Sequence, residues 1–270
     1  MRALILLVIM FSTFAPLARA EPLSQRIDAL LPTLTLVKPE GPGPFPTVLL
    51  LHGCGGRRAF MDEYARVVRE AGAAAVIVDS FAHRRIGRVE AMATVCSGAR
   101  LQGRERAGDL FAAMAWARAQ DWVDRERLIA AGWSHGSWTI MDGLSLRPGE
   151  EMARITGLDD LPDEPLAGLA SVFLVYPYAG MASYAGKRPW RLQPRGIAIV
   201  AGRDYAVGTE APMAALARVK DQGVRLDVHL FETSSHAYDE PDTRDPRMRY
   251  DPAAAARTQD LLRDLIALTR

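Results

Sequence analysis

Two cysteines, five histidines and 7% aromatic residues are little for a chain of 270. Each scarcity excludes something. Two cysteines cannot build a disulfide-dense scaffold. Neither they nor the histidines fall at metal-ligand spacing, so no metal or other cofactor is expected. Excess charge of either sign is also lacking. The 33 basic residues against 32 acidic ones give a formal net charge of +1. No strong field therefore recruits nucleic acid or an anionic membrane. The chain has no internal repeat, no low-complexity tract and no second hydrophobic span.

The one long apolar stretch lies at the start. Arg2 supplies a basic flank, Ala3 to Phe14 form an apolar core, and Ala18-Arg19-Ala20 reads as a small-residue cleavage site. This is the pattern of a secretory signal peptide over residues 1–20. The apolar core is too short to cross a bilayer comfortably, so no stable membrane anchor is expected after cleavage. The mature protein would begin at Glu21, secreted or periplasmic, as one domain over residues 21–270. That length suits one α/β domain with a full core.

What is present is alternation. Short apolar runs at Leu34 to Val37, Thr47 to Leu51, Ala73 to Val78, Leu128 to Ala131, Val172 to Val175, Ile197 to Ala201 and Leu226 to Phe231 read as strands. Between several of them apolar residues recur at helical spacing, as in Phe60, Tyr64, Val67, Val68 and Ala71. Further helices are expected near Leu110 to Ala117, Ser137 to Leu146, Thr209 to Gln222 and Pro252 to Leu268. Continuous apolar strands separated by helices indicate an α/β fold, a mostly parallel sheet with helices on both faces. The last strand alternates apolar and polar residues, which suits an edge, with His229 solvated there.

Gly132-Trp133-Ser134-His135-Gly136 stands where the strand ending near Ala131 gives way to a helix. With this composition chance supplies roughly 0.07 matches to G-x-S-x-G. A serine at a strand-to-helix turn is the nucleophile elbow of α/β-hydrolases. Its glycines let backbone pack closely, and the helix N-terminus offers free N–H groups to an oxyanion. A serine nucleophile needs a base and a group that orients the base. In such folds the acid and then the histidine follow the serine, on loops after later strands. Asp204, just past the run Ile197 to Ala201, suits the acid, and His236, just past the last strand, suits the base. Asp159, Asp160 and Asp163 lie in an acidic, proline-bearing insertion and read as solvated. Asp239 and Asp242 follow His236 without a strand end to present them. The oxyanion donors are expected at the backbone amides of His135 and Cys54, the latter in the loop His52-Gly53-Cys54-Gly55-Gly56.

Together with Val78-Asp79-Ser80-Phe81, Ala201-Gly202-Arg203-Asp204 and Ser235-His236-Ala237-Tyr238, these stretches resemble the dienelactone hydrolase family of α/β-hydrolases. The similarity spans the chain from about Pro39 onward. It implies the single-domain α/β-hydrolase fold, the triad and an ester-like substrate. One departure matters: founding members carry cysteine as nucleophile where this chain carries Ser134. Dienelactone itself therefore does not carry over as substrate.

The reading is a serine hydrolase for a small-molecule carboxylic ester or lactone, acting through Ser134, His236 and Asp204. A serine peptidase of prolyl-oligopeptidase type uses the same core, but its propeller domain does not fit this length. A non-catalytic binding protein on a hydrolase scaffold would have lost a triad member. Oligomeric state is left open. Two further expectations concern particular residues. Cys54 and Cys96 should form a disulfide, since export leads to an oxidising compartment and both segments should reach the catalytic edge. Arg84 or Arg85, after the strand ending at Val78, is placed to pair with a substrate carboxylate. The resemblance points the same way, since dienelactones are anionic, and a solvated turn is the alternative.

Overall fold

A computed structural model describes residues 20–269. Apart from Ala20, the stretch read as a signal peptide lies outside the described residues.

Seven strands form one sheet. β1 (Thr35–Val37), β2 (Phe45–Leu51), β3 (Ala74–Val78), β4 (Val123–Trp133), β5 (Leu169–Val175), β6 (Arg195–Arg203) and β7 (Leu226–Ser235) run in the order β1-β3-β2-β4-β5-β6-β7. Only β1 is antiparallel to its neighbour. The period of two along a strand explains the continuous apolar runs. In β2, Leu49 and Leu51 face one core while Val48 and Leu50 face the other. A strand covered on both faces has no polar side to show.

The helices are α1 (Leu23–Leu30), α2 (Phe60–Glu70), α3 (Arg88–Glu90), α4 (Gly103–Arg118), α5 (His135–Ser145), α6 (Glu150–Thr156), α7 (Glu210–Asp221) and α8 (Pro252–Leu268). A short π-turn, Ala91–Val95, continues α3. α4, α5 and α7 contribute to one core, with Leu30 of α1, and α2 and α8 contribute to the other. α8 begins where its residues dictate. Pro252 occupies the first turn, and the Asp251 carboxylate accepts from the amides of Ala253 and Ala254. Every residue of α5 is buried.

β7 is an edge strand, as its alternation predicts. His229 is half-buried there rather than solvated. β4 begins five residues before its apolar run, because Asp124, Arg125, Glu126 and Arg127 carry the strand past the covered part of the sheet. α1, α3 and α6 were not expected; they are too short for a periodic pattern to stand out.

Candidate active site

Ser134 stands between β4 and α5 with φ 52° and ψ −108°. Few side chains adopt this backbone, and the surroundings hold it there. The Ser134 amide donates to the Val175 carbonyl at 2.9 Å. Ser137 Oγ donates to the Gly132 carbonyl at 2.5 Å and accepts from the Val175 amide at 3.0 Å. Both elbow glycines are required by contact. A Cβ on Gly132 would meet the Gly136 carbonyl carbon at 2.4 Å, and one on Gly136 would meet the Leu51 oxygen at 2.1 Å.

The later strand ends bring two more side chains to the serine. His236 follows β7 directly, and its Nε2 lies 3.0 Å from Ser134 Oγ. Its Nδ1 lies 2.7 Å from Asp204 Oδ2, just past β6. The other oxygen of Asp204 accepts from the amides of Ala206 and Val207 at 3.0 and 2.9 Å. With Nδ1 donating to the Asp204 carboxylate, Nε2 is left to accept from the serine hydroxyl. All three side chains are buried.

Cys54 and His135 line the cleft together with Ser134, and among the described residues neither amide donates to a backbone carbonyl. The loop carrying Cys54 is held from behind. His52 Nδ1 bonds to the Gly53 carbonyl at 2.7 Å, and the Ser80 amide donates to His52 Nε2 at 3.3 Å. Arg106 of α4, fully buried, donates to the His52 carbonyl at 2.7 Å and to Ser80 Oγ at 2.9 Å. It also reaches His135 Nδ1 at 3.3 Å. Burial lowers Arg106 to about 10, which leaves it charged at neutral pH. Burial, then the Arg106 charge, pushes His135 well below the ordinary histidine range, so this imidazole is neutral.

Asp239, three residues past His236, stands apart from Ser134 in a pocket of its own donors. It lies buried and accepts from Tyr64 and Tyr176 hydroxyls at 2.7 Å and from Trp133 Nε1 at 2.9 Å. Burial raises its pKa against those three donors. The Tyr176 ring packs on His236, with centroids 4.6 Å apart. Asp159, Asp160 and Asp163 are exposed, as read from the sequence.

Cys54 and Cys96 form a disulfide, with Cα atoms 5.0 Å apart. The two arginines expected at the substrate stand away from the cleft. Arg84 turns inward, and its guanidinium donates to both Asp109 oxygens at 2.6 and 2.9 Å and to the Ser80 carbonyl at 2.7 Å. Burial would raise the Asp109 carboxyl, but Arg84 and Arg26 hold it well below the usual range. Arg85 is exposed, with φ 54°. Neither arginine lines the cleft at Ser134. A buried carboxylate is the stronger partner for a guanidinium whose stem already lies against it.

The cleft has two limbs that meet at Ser134 and His236. One, of about 490 Å³, is walled by Trp138, Tyr178 and the disulfide, with Met92, Met181 and Met248 among its lining. The other, of about 220 Å³, passes Gly53, Arg58, Arg88, Tyr176 and Glu240. The carboxyl of Glu240 is pushed up to about 8 by burial and then by Asp239, against the pull of Arg58.

No family model matches this sequence, and no curated protein resembles it closely enough to be matched. Solved structures do resemble it. One is a protein from Klebsiella pneumoniae subsp. pneumoniae with a provisional dienelactone hydrolase designation. It aligns with TM-score 0.65 and 13% identity, over 87% of this chain and 92% of its own. Esterase 2 of Thermogutta terrifontis, phosphonylated by cyclosarin, aligns with TM-score 0.63 and 16% identity, over 87% and 88%. A dienelactone hydrolase-like promiscuous phosphotriesterase from metagenomic libraries aligns with TM-score 0.61 and 21% identity, over 84% and 87%. At such identities the likeness defines the fold, and that fold is the α/β-hydrolase fold.

Proposed function

We propose that this protein is a serine hydrolase of dienelactone-hydrolase type that cleaves a carboxylic ester or lactone through an acyl-enzyme. The observation that carries the reading is the chain of contacts Ser134 Oγ–His236 Nε2 and His236 Nδ1–Asp204 Oδ2, 3.0 and 2.7 Å long. Ser134 Oγ attacks the carbonyl carbon while His236 Nε2 takes its proton. Asp204 fixes the imidazole and stabilises the imidazolium. The amides of Cys54 and His135 receive the negative oxygen. His236 then gives the proton to the departing alcohol oxygen, and the acyl group remains on Ser134. Water, deprotonated by His236, attacks the acyl carbon and restores the serine. For a lactone the departing alcohol stays tethered to the acyl chain.

Relatives of the fold point the same way. Thermogutta terrifontis esterase 2 has been obtained with butyrate bound and phosphorylated by paraoxon. Export, read from residues 1–20, suits a protein with a disulfide. The test is labelling by a fluorophosphonate probe followed by turnover of p-nitrophenyl esters. Wild type should label on Ser134 and turn over. A protein that neither labels nor turns over any ester would be a binding protein on this scaffold.

A further inference from the structure

The larger limb of the cleft is chemically one-sided. Trp138 and Tyr178 stack at a tilt, with centroids 4.6 Å apart. The Trp138 N–H is spent on Asp142 at 2.6 Å, so the indole offers the limb a carbon surface. Three methionines and the Cys54–Cys96 bridge bring sulfur to the same space; Met92, Met248 and Cys54 are shared with the smaller limb, whereas Met181, Cys96 and both aromatic rings belong to this one. Met181 is 92% exposed and Met92 49% exposed, a large apolar surface left uncovered beside Ser134. The two charged residues in the lining cancel each other. Arg247 donates to Asp245 from Nε and Nη2 at 3.0 and 2.7 Å. An apolar cavity of about 150 Å³ holds one benzene. This limb, of about 490 Å³, has room for a fused pair of rings and the link to an ester.

We propose that this limb is a binding subsite for an aromatic group, and that the substrate is an ester bearing a neutral aryl or arylalkyl arm. The proposal rests on the ester-hydrolase reading for its chemistry but not for its binding. Area alone would favour any apolar arm equally. Ring faces and sulfur discriminate, because an aromatic ring gains ring–ring and sulfur–ring attraction beyond the area it buries. The rim methionines are flexible and polarisable, which suits closing over a flat group. The smaller limb, with Gly53 and Arg58 in its wall, takes the group on the other side of the scissile bond.

Two measurements on the disulfide-bonded protein test this. The first compares kcat/KM for esters matched in carbon count: methyl naphthylacetate against a methyl alkanoate, and naphthylmethyl acetate against an alkyl acetate. At least one aryl member should be preferred by about tenfold or more, and the responding pair identifies which side of the bond enters the limb. The double variant Met92→Ser, Met181→Ser, at rim positions of the limb, should erase that preference. Equal kcat/KM within both pairs would overturn the proposal. The second measurement is calorimetric binding of acetylnaphthalene, a ketone with no bond to cleave. It should bind wild type and weaken about tenfold in the methionine variant. No binding to wild type would also overturn the proposal. Binding without turnover of any ester would leave the subsite standing and remove the hydrolase reading alone.

Discussion

Arg106 donates to the carbonyl of His52 at 2.7 Å, and the same Nη1 lies 3.3 Å from the imidazole of His135. One buried cation thus touches both arms of the proposed oxyanion hole. It holds the loop that carries the Cys54 amide and abuts the residue that supplies the second amide. Its direct acceptors are neutral, and the carboxylates of Asp109 and Asp79 act on it only through space.

We therefore expect Arg106→Met to lower kcat by about tenfold or more with little change in KM. Arg106→Lys should recover part of kcat by restoring charge without the fork. Steady-state kinetics of both variants checks this. A fall in folded protein with normal kcat in what remains would reduce Arg106 to a packing role.

Removal of members of the proposed triad should separate chemistry from fold. Ser134→Ala and His236→Ala should each abolish turnover to a similar extent, because the triad acts as a unit. Asp204→Asn should lower kcat by roughly 10⁴-fold through the lost imidazole orientation. Thermal unfolding curves should stay near wild type for Ser134→Ala. If Asp239→Asn abolished turnover while Asp204→Asn did not, the acid would have to be reassigned.

Arg84 is tied to the interior through Asp109. Arg84→Gln leaves Asp109 buried with Arg26 as its remaining cation. The expected cost is about 3 kcal/mol of unfolding free energy or less, below the range for a buried charge left alone, because Arg26 still pairs with Asp109. KM for an anionic ester and for its neutral methyl ester should stay in the wild-type ratio. Denaturant titration and paired kinetics give the two readouts.

The disulfide joins the oxyanion loop to the wall formed by the π-turn, across 42 residues of sequence. Chain entropy assigns such a closure about 4 kcal/mol. The double variant Cys54→Ala, Cys96→Ala should lose up to that amount in urea unfolding. It should also lose kcat, because the Cys54 amide is no longer pinned. Unchanged kcat would show that the loop is held by Arg106 and His52 alone.

Glu240 predicts a pH signature. Its folded pKa of about 8 lies above its ordinary value, so the folded state keeps a proton that the unfolded chain has released. Stability from this group is full at acid pH, declines as pH rises from the ordinary glutamate range, and levels off above about 8. Glu240→Gln should then gain on wild type progressively across that window. Melting temperatures of both proteins at several pH values test the sign. A difference that shrinks with rising pH would refute it.

The strand-turn-helix around Ser134 could be read from sequence because its determinants are local. An apolar run, two glycines forced by backbone contact and a following helix lie within about twenty residues. The parallel sheet was legible for a similar reason, since burial on both faces leaves runs such as Val48 to Leu51 without a polar side. Asp204 and His236 were legible through chain order and strand ends. The disulfide followed from there being only two cysteines.

Other residues were decided by distance in space. Arg106 sits within a helix of ordinary appearance, and nothing nearby in sequence announces that its acceptors are His52 and Ser80, 54 and 26 residues away. Asp239 reads as one more loop carboxylate until the fold closes Tyr64, Trp133 and Tyr176 around it. Arg84 stands at the correct edge of the sheet for a substrate contact. Its direction was set by Asp109, which α4 carries into the interior beneath it. Hydrophobic periodicity records which side of an element is buried. It does not record which buried charge will find which partner, because that is fixed only when the helices pack and the desolvated groups must be satisfied.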